Sequence, residues 1–306
     1  MSEIKENILA TLAYFDMFNY PLTVGEIYLF TKRRYKSQDF NQAIKCLSES
    51  KSIFQFDKFY SLKNNPDLVV RRREGNKKAA EMILIAEKVS KLLICFPYVR
   101  GIAISGSLSK NFADDNSDID LFIITAPNRL WIARTLMHLF KKLTYLVHKQ
   151  DYFCMNYYVD EQQLEIVDKT LYTAIEIVTL MPLQGDTQFE QFYAANAWTR
   201  DYLPNKIMRV SSAKPLKLII AKSIFEALFN NRLGNLIDNS LMHITANRWL
   251  KKTVAKKLNA KGKIMALEVD KHFAKPDPGN FHSKLLMQYE SKISMLMTDA
   301  KHVLAN

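Results

Sequence analysis

The sequence predicts an α/β (α+β) chain. A small mixed sheet with flanking helices lies at its centre, between a small N-terminal unit and a C-terminal α-helical bundle. Three observations carry this expectation. Gly and Pro number only 8 and 9 among 306 residues, too few for an all-β chain with many tight turns and in keeping with a helix-rich one. Runs of strand length, rich in β-branched and aromatic residues, fall near the middle, around residues 100–105, 117–125 and 152–159. Beyond residue 186 the apolar positions recur at helical spacing. The expected boundaries are 1–68, 69–185 and 186–306.

Composition narrows the class. Hydrophobic residues make up 48%, enough to bury a core and too many for a disordered chain. Cys46, Cys95 and Cys154 are odd in number and far apart, so neither a disulfide framework nor a zinc site follows from them. The six histidines form no HxH or HxxxH pair. No basic-then-apolar leader opens the chain, and no apolar run reaches the roughly 18 residues that suggest a membrane span. A cytoplasmic setting is expected. Net charge is +12, and residues 206–275 carry 15 Lys/Arg against 4 Asp/Glu. Such a surface attracts polyphosphates or nucleic acid, or is simply a solvated helical face.

In the N-terminal unit, Ile4, Ile8, Leu9, Leu12 and Phe15 share a helical face over residues 3–18. Pro21 stops this helix, and Thr23 caps a second over 24–31. Ser37 caps a third, which carries Phe40, Ile44 and Leu47 inward. Residues 52–62 read as a hairpin about Asp57–Lys58. Three helices followed by a hairpin is the order of a winged helix-turn-helix, so the unit is winged-helix-like. Its third helix offers only Lys45 as a cation beside Asp39 and Glu49, whereas a helix that reads DNA carries more cations toward phosphates. After a break at Asn64–Pro66, residues 76–94 form a long helix ended by Pro97.

Residues 100–125, RGIAISGSLSKNFADDNSDIDLFIIT, hold the chemistry. A short apolar strand leads to a Gly106–Ser107 turn. A helix begins near Leu108, a loop follows at Asp114–Asn116, and a second strand runs from Ser117 to Thr125. Gly106 lacks a Cβ, so its backbone can approach a bulky anion closely. Ser107 adds a hydroxyl and an amide near a helix start. Asp118 and Asp120, two apart on a strand, point to one face. Two adjacent carboxylates raise each other's pKa, and a divalent cation resolves that conflict.

This segment resembles the signature of the DNA polymerase β-type nucleotidyltransferase superfamily: an apolar residue, Gly-Ser, a spacer of about ten residues, and Asp-x-Asp between apolar residues. The resemblance implies a Mg²⁺- or Mn²⁺-dependent enzyme. It would move a nucleoside monophosphate from a nucleoside triphosphate to a hydroxyl or phosphate acceptor and release pyrophosphate. Asp118 and Asp120 would hold metal, and Gly106 and Ser107 would hold phosphates. Lys110 is a further phosphate candidate, or else a solvent-facing loop lysine.

The superfamily adds a third carboxylate on a nearby strand. Here Asn156 occupies the expected place in the strand 152–159. Its amide oxygen can meet a metal but cannot act as a base at neutral pH. Asp151, Asp160 and Glu165 are the substitutes in reach along the chain. Arg134, on the helix expected over 129–148, is read as a surface residue or one reaching the cleft. Further helices are expected over 167–179, 189–202, 215–231, 233–258 and 282–303, with a loop at 273–280. Two alternative readings stay open. One is a nucleic-acid-binding regulator that works through the winged helix or the basic C-terminal third; the other is a nucleotide-binding scaffold with an inactive domain.

Overall fold

The structure, a computed structural model, describes residues 2–144, 154–206, 213–217, 219–258, 262, 264–276 and 281–303. The N-terminal unit runs α1 (Glu3–Asp16), β1 (Leu22–Thr23), α2 (Val24–Phe30), α3 (Ser37–Glu49), β2 (Phe54–Phe56) and β3 (Phe59–Ser61). The three strands form a small antiparallel sheet in the order β1-β3-β2. A capping box starts α2: Thr23 accepts from the Glu26 amide, and Glu26 reaches back to the Thr23 amide, so two orphan donors are satisfied reciprocally. Ser37 is the first residue of α3, with Lys36 at the cap position. The β2–β3 turn places Asp57 at φ 55°, where Asp is among the more tolerated residues.

The unit does not stand apart. Its core of Ile8, Leu12, Phe15, Ile44 and Leu47 continues into Ala174, Ile175 and Tyr289 from the rest of the chain. Arg72 pins it from outside. This side chain, 4% exposed, lies between the rings of Tyr20 and Phe59, at 4.3 and 4.4 Å. Its Nη2 donates to Glu26 Oε1 at 2.6 Å. Burial alone would raise the Glu26 carboxyl, but Arg72 outweighs it and holds that group below the ordinary range. Arg72 belongs to α4 (Asp67–Leu93), which starts nine residues earlier than the periodicity alone indicates.

The main sheet follows. β4 (Val99–Ile104) leads through the short α5 (Gly106–Ser109) to β5 (Asp120–Thr125). Then come α6 (Leu130–Thr144), β6 (Cys154–Asp160), α7 (Leu171–Thr179) and β7 (Met181–Gln184). Next are α8 (Asp186–Ala195), α9 (Thr199–Tyr202), α10 (Ile220–Phe229) and α11 (Arg232–Val254). The hairpin β8 (Leu267–Val269) and β9 (Phe273–Pro276) precedes α12 (Phe281–Val303). The six strands lie in the order β7-β4-β5-β6-β9-β8. β5 and β6 are parallel, joined by the crossover through α6, and the other pairs are antiparallel. The sheet is therefore mixed, as expected.

Several expectations change. The loop expected at 273–280 contains strand β9, so the C-terminal third is not purely helical: it adds a hairpin to the sheet through Tyr158↔Ala274 and Val159↔Phe273. The helix expected over 189–202 is two helices, α8 and α9. The residues beyond Thr144 in the helix expected over 129–148, together with Asp151, lie outside the described residues. Arg134 is not a surface group. It is 8% exposed and lies over the rings of Trp131 and Tyr158, and burial lowers its guanidinium below the ordinary range. Arg129 is also buried and donates to Asn235 Oδ1 at 2.6 Å. These two arginines serve packing of α6 against α11 and the sheet.

Candidate active site

The site is built where β4 ends and β5 begins. The Ser105 amide donates to Asp120 O at 2.9 Å, which locks the two strand ends side by side. Gly106 then turns at φ 67°, in the left-handed region that glycine enters at no steric cost. A Cβ at Gly106 would stand 2.8 Å from Asp120 Oδ2. The absence of a side chain here is what allows the turn to sit against the carboxylate.

Asp118 lies in the loop before β5 rather than on the strand, so the same-face argument from strand geometry does not apply to it. Loop and strand still bring both carboxylates to one cleft of about 440 Å³, lined also by Gly106, Asn156, Tyr172 and Trp249. Asn156 reaches it through a bulge. The β5–β6 register steps from Leu121↔Met155 to Phe122↔Tyr157, leaving Asn156 as the extra residue, and a bulge re-aims a side chain in this way. Beside it, burial and then the charge of Asp120 push the Cys154 thiol up to about 12. Cys154 is therefore a neutral wall of the cleft at physiological pH.

The remaining candidates separate. Ser107 is exposed and lines a neighbouring cavity together with Gly106 and Lys110. α5 is a four-residue turn, shorter than the helix expected from Leu108. Lys110 is not a solvent-facing lysine: its Nζ donates to Gly106 O at 3.0 Å and to Glu176 Oε1 at 2.8 Å. Asp160 is excluded from the cleft, since it sits opposite Thr125 at the far end of β6. There it is fully buried and accepts from the amides of Asn128 and Gln162 and meets His272 Nδ1. Glu165 forms a half-exposed pair with Lys169 and does not line the cleft.

Sequence reasoning missed Glu176. It lies on α7 one turn after Tyr172, and both line the cleft, as residues four apart on a helix share a face. His282 and Lys275 also line it. Burial alone would lower the Lys275 ammonium, but Asp168 and Glu268 overcome this and hold it above the ordinary lysine range.

A divalent cation fits the donor set by its chemistry. Two carboxylates and an amide oxygen are hard ligands of the kind Mg²⁺ takes together with phosphate oxygens, and the missing Cβ at Gly106 keeps a side chain from standing 2.8 Å from Asp120 Oδ2. Among the described residues, no group of three or more His, Cys, Asp or Glu side chains could hold a metal alone.

Residues 82–181 match the family model of the nucleotidyltransferase domain. The matched stretch runs from within α4 to the first residue of β7 and so contains every cleft residue from Ser105 to Leu180. It supports a transferase that moves a nucleotidyl group. No curated protein and no solved structure matches the chain. No helix among the described residues is long and apolar enough to cross a membrane.

Proposed function

We propose that the chain is a metal-dependent nucleotidyltransferase that uses the cleft at Asp118 and Asp120. The observation that carries this reading is the convergence of both carboxylates, the Asn156 amide and the side-chain-free Gly106 turn on one cleft. Asp118 and Asp120 would hold Mg²⁺ or Mn²⁺, with Asn156 offering its amide oxygen. The cation would draw charge from the triphosphate as the α-phosphorus is attacked. Gly106 would let the triphosphate lie against the backbone, and the Ser107 hydroxyl and amide and the Lys110 ammonium would meet the outer phosphates. The acceptor oxygen forms a bond to the α-phosphorus, the bond to the β-phosphate breaks, and pyrophosphate leaves.

α3 offers no support for a DNA-reading role. Its exposed positions include Gln38, Asp39, Asn41, Gln42, Lys45 and Glu49, a net negative set that phosphates would repel. The N-terminal unit instead contributes aromatic walls next to the Gly106 turn. The test is incubation of the full chain with Mg²⁺, each nucleoside triphosphate labelled at the α-phosphate, and pools of small metabolites and RNA. Label transfer with pyrophosphate release, absent in Asp118→Ala/Asp120→Ala, supports the reading. Metal-dependent binding of nucleotide without transfer to any pool favours a non-catalytic scaffold instead.

A further inference from the structure

Helices α10 and α11 carry apolar side chains on two faces. Inward, Phe225, Phe229, Ile237 and Leu241 pack against the core of the main sheet. Outward, Ile220, Ile224 and Leu228 on α10 are 59–72% exposed, and Leu233, Leu236, Ile244, Leu250 and Val254 on α11 are 56–74% exposed. At 3.6 residues per turn, the three on α10 fall within about 80° of arc and the five on α11 within about 120°. Each helix therefore has one aliphatic outer stripe. A helix on the surface of a globular chain normally keeps that face polar, and clustered exposed apolar residues mark an interaction site.

The charge around these stripes has one sign. Residues 213–258 hold nine Lys/Arg and only two acids, Glu226 and Asp238. Both acids are engaged within the fold. Glu226 pairs with Arg100 at 2.6 Å. Asp238 is 2% exposed and accepts from the Ile132 amide. All of the cations except Lys222 and Lys252 are exposed. Arg232 and Lys251 fall within the arc of the α11 stripe itself, and no acid does.

We propose that the outer face of α10 and α11 docks on the surface of an anionic lipid bilayer, with its aliphatic stripes in the headgroup boundary and its cations on the lipid phosphates. Charge selects this occupant. Aliphatic side chains beside Lys and Arg, with no exposed acid, are the pattern of a helix that lies in a membrane interface. Lysine stems lie along apolar surface while their ammonium groups reach the headgroups, and an anionic leaflet attracts them. A second copy of the chain would set like charge against like charge. Nucleic acid would meet the cations and leave the stripes unmatched, because bases stack on aromatic rings and the stripes are Ile, Leu and Val. Neither helix is long and apolar enough to cross a membrane, so the contact is with the bilayer surface. None of the stripe residues lines the cleft at Asp118 and Asp120. Trp249, which does line it, lies nearly opposite Leu233 around α11. Docking is therefore independent of the nucleotidyltransferase reading.

The test is co-sedimentation of the full chain with vesicles of phosphatidylcholine alone and of phosphatidylcholine and phosphatidylglycerol in equal parts. Wild type should bind the mixed vesicles at least tenfold more tightly than the neutral ones, and added salt should weaken that binding. Leu236→Ser/Leu250→Ser keeps every charge and should bind the mixed vesicles at least tenfold more weakly. Lys251→Gln/Lys256→Gln/Lys257→Gln should do the same. Circular dichroism confirms that both variants fold, since all five positions are exposed. Calorimetry with a non-hydrolysable triphosphate should give the same result for wild type and both variants, and failure of nucleotide to bind wild type would count against the nucleotide site alone. No vesicle binding, equal binding to both vesicles, or binding unchanged by Leu236→Ser/Leu250→Ser would overturn the proposal. So would a dimer in sedimentation velocity that the leucine variant dissociates, or an RNA oligonucleotide bound through the lysines, if either came without vesicle binding.

Discussion

A Cβ on Gly106 would lie 2.8 Å from Asp120 Oδ2, so the turn and the carboxylate are fitted to each other without a side chain between them. Gly106→Ala therefore meets two obstacles. Its φ of 67° costs an alanine about 1–2 kcal/mol, and the added methyl must push Asp120 aside. The expected result is a folded protein, slightly less stable, with at least tenfold weaker metal-dependent nucleotide binding. Thermal unfolding and calorimetry on the same preparation separate the two effects.

Arg72 joins the long helix α4 to the N-terminal unit through Glu26 and the rings of Tyr20 and Phe59. Arg72 is buried but the Glu26 side chain is 31% exposed, so losing Arg72 costs less than the breaking of a fully buried pair, about 1–3 kcal/mol. Arg72→Ala should lower stability by that order in urea unfolding. A change below about 1 kcal/mol would mean that Arg72 is not buried in solution.

Asp238, on α11, accepts from the Ile132 amide at 2.9 Å. Burial pushes its carboxyl up from 3.8 to about 6. Between those values the folded chain keeps a proton that the unfolded chain has lost. This contribution to stability is thus full below about pH 4 and is lost as pH rises through about 6. Asp238→Asn keeps an acceptor for Ile132 and removes the titration. Relative to wild type, its stability should improve by roughly 1–3 kcal/mol on going from pH 4 to pH 7. A constant difference across that range would count against the buried, protonated Asp238.

Much of this was legible in the sequence where the signal is local. Thr23 marks the start of α2 by itself. The turn at Asp57–Lys58 follows from its flanking aromatic residues. Gly106, Asp118 and Asp120 stand close together in the sequence, and all three line one cleft. What was not legible depends on partners distant in sequence. β7 contains Pro182 and lies at the sheet edge, paired with β4 and bridged to Lys214. β8 and β9 are short, and β9 is held by β6, more than a hundred residues earlier. Arg129 and Arg134 look like surface cations until α11 and the ring of Tyr158 are placed over them. Glu176 is one acid on an apolar helix, and only the fold sets it beside Lys110.

Calorimetric titration of a non-hydrolysable nucleoside triphosphate tests the central claim most directly, with and without Mg²⁺, on wild type and on Asp118→Ala/Asp120→Ala. Binding that needs the metal and disappears in the double variant is the predicted result. Equal binding by wild type and the double variant, or none by wild type under any metal condition, would contradict a nucleotide site at Asp118 and Asp120.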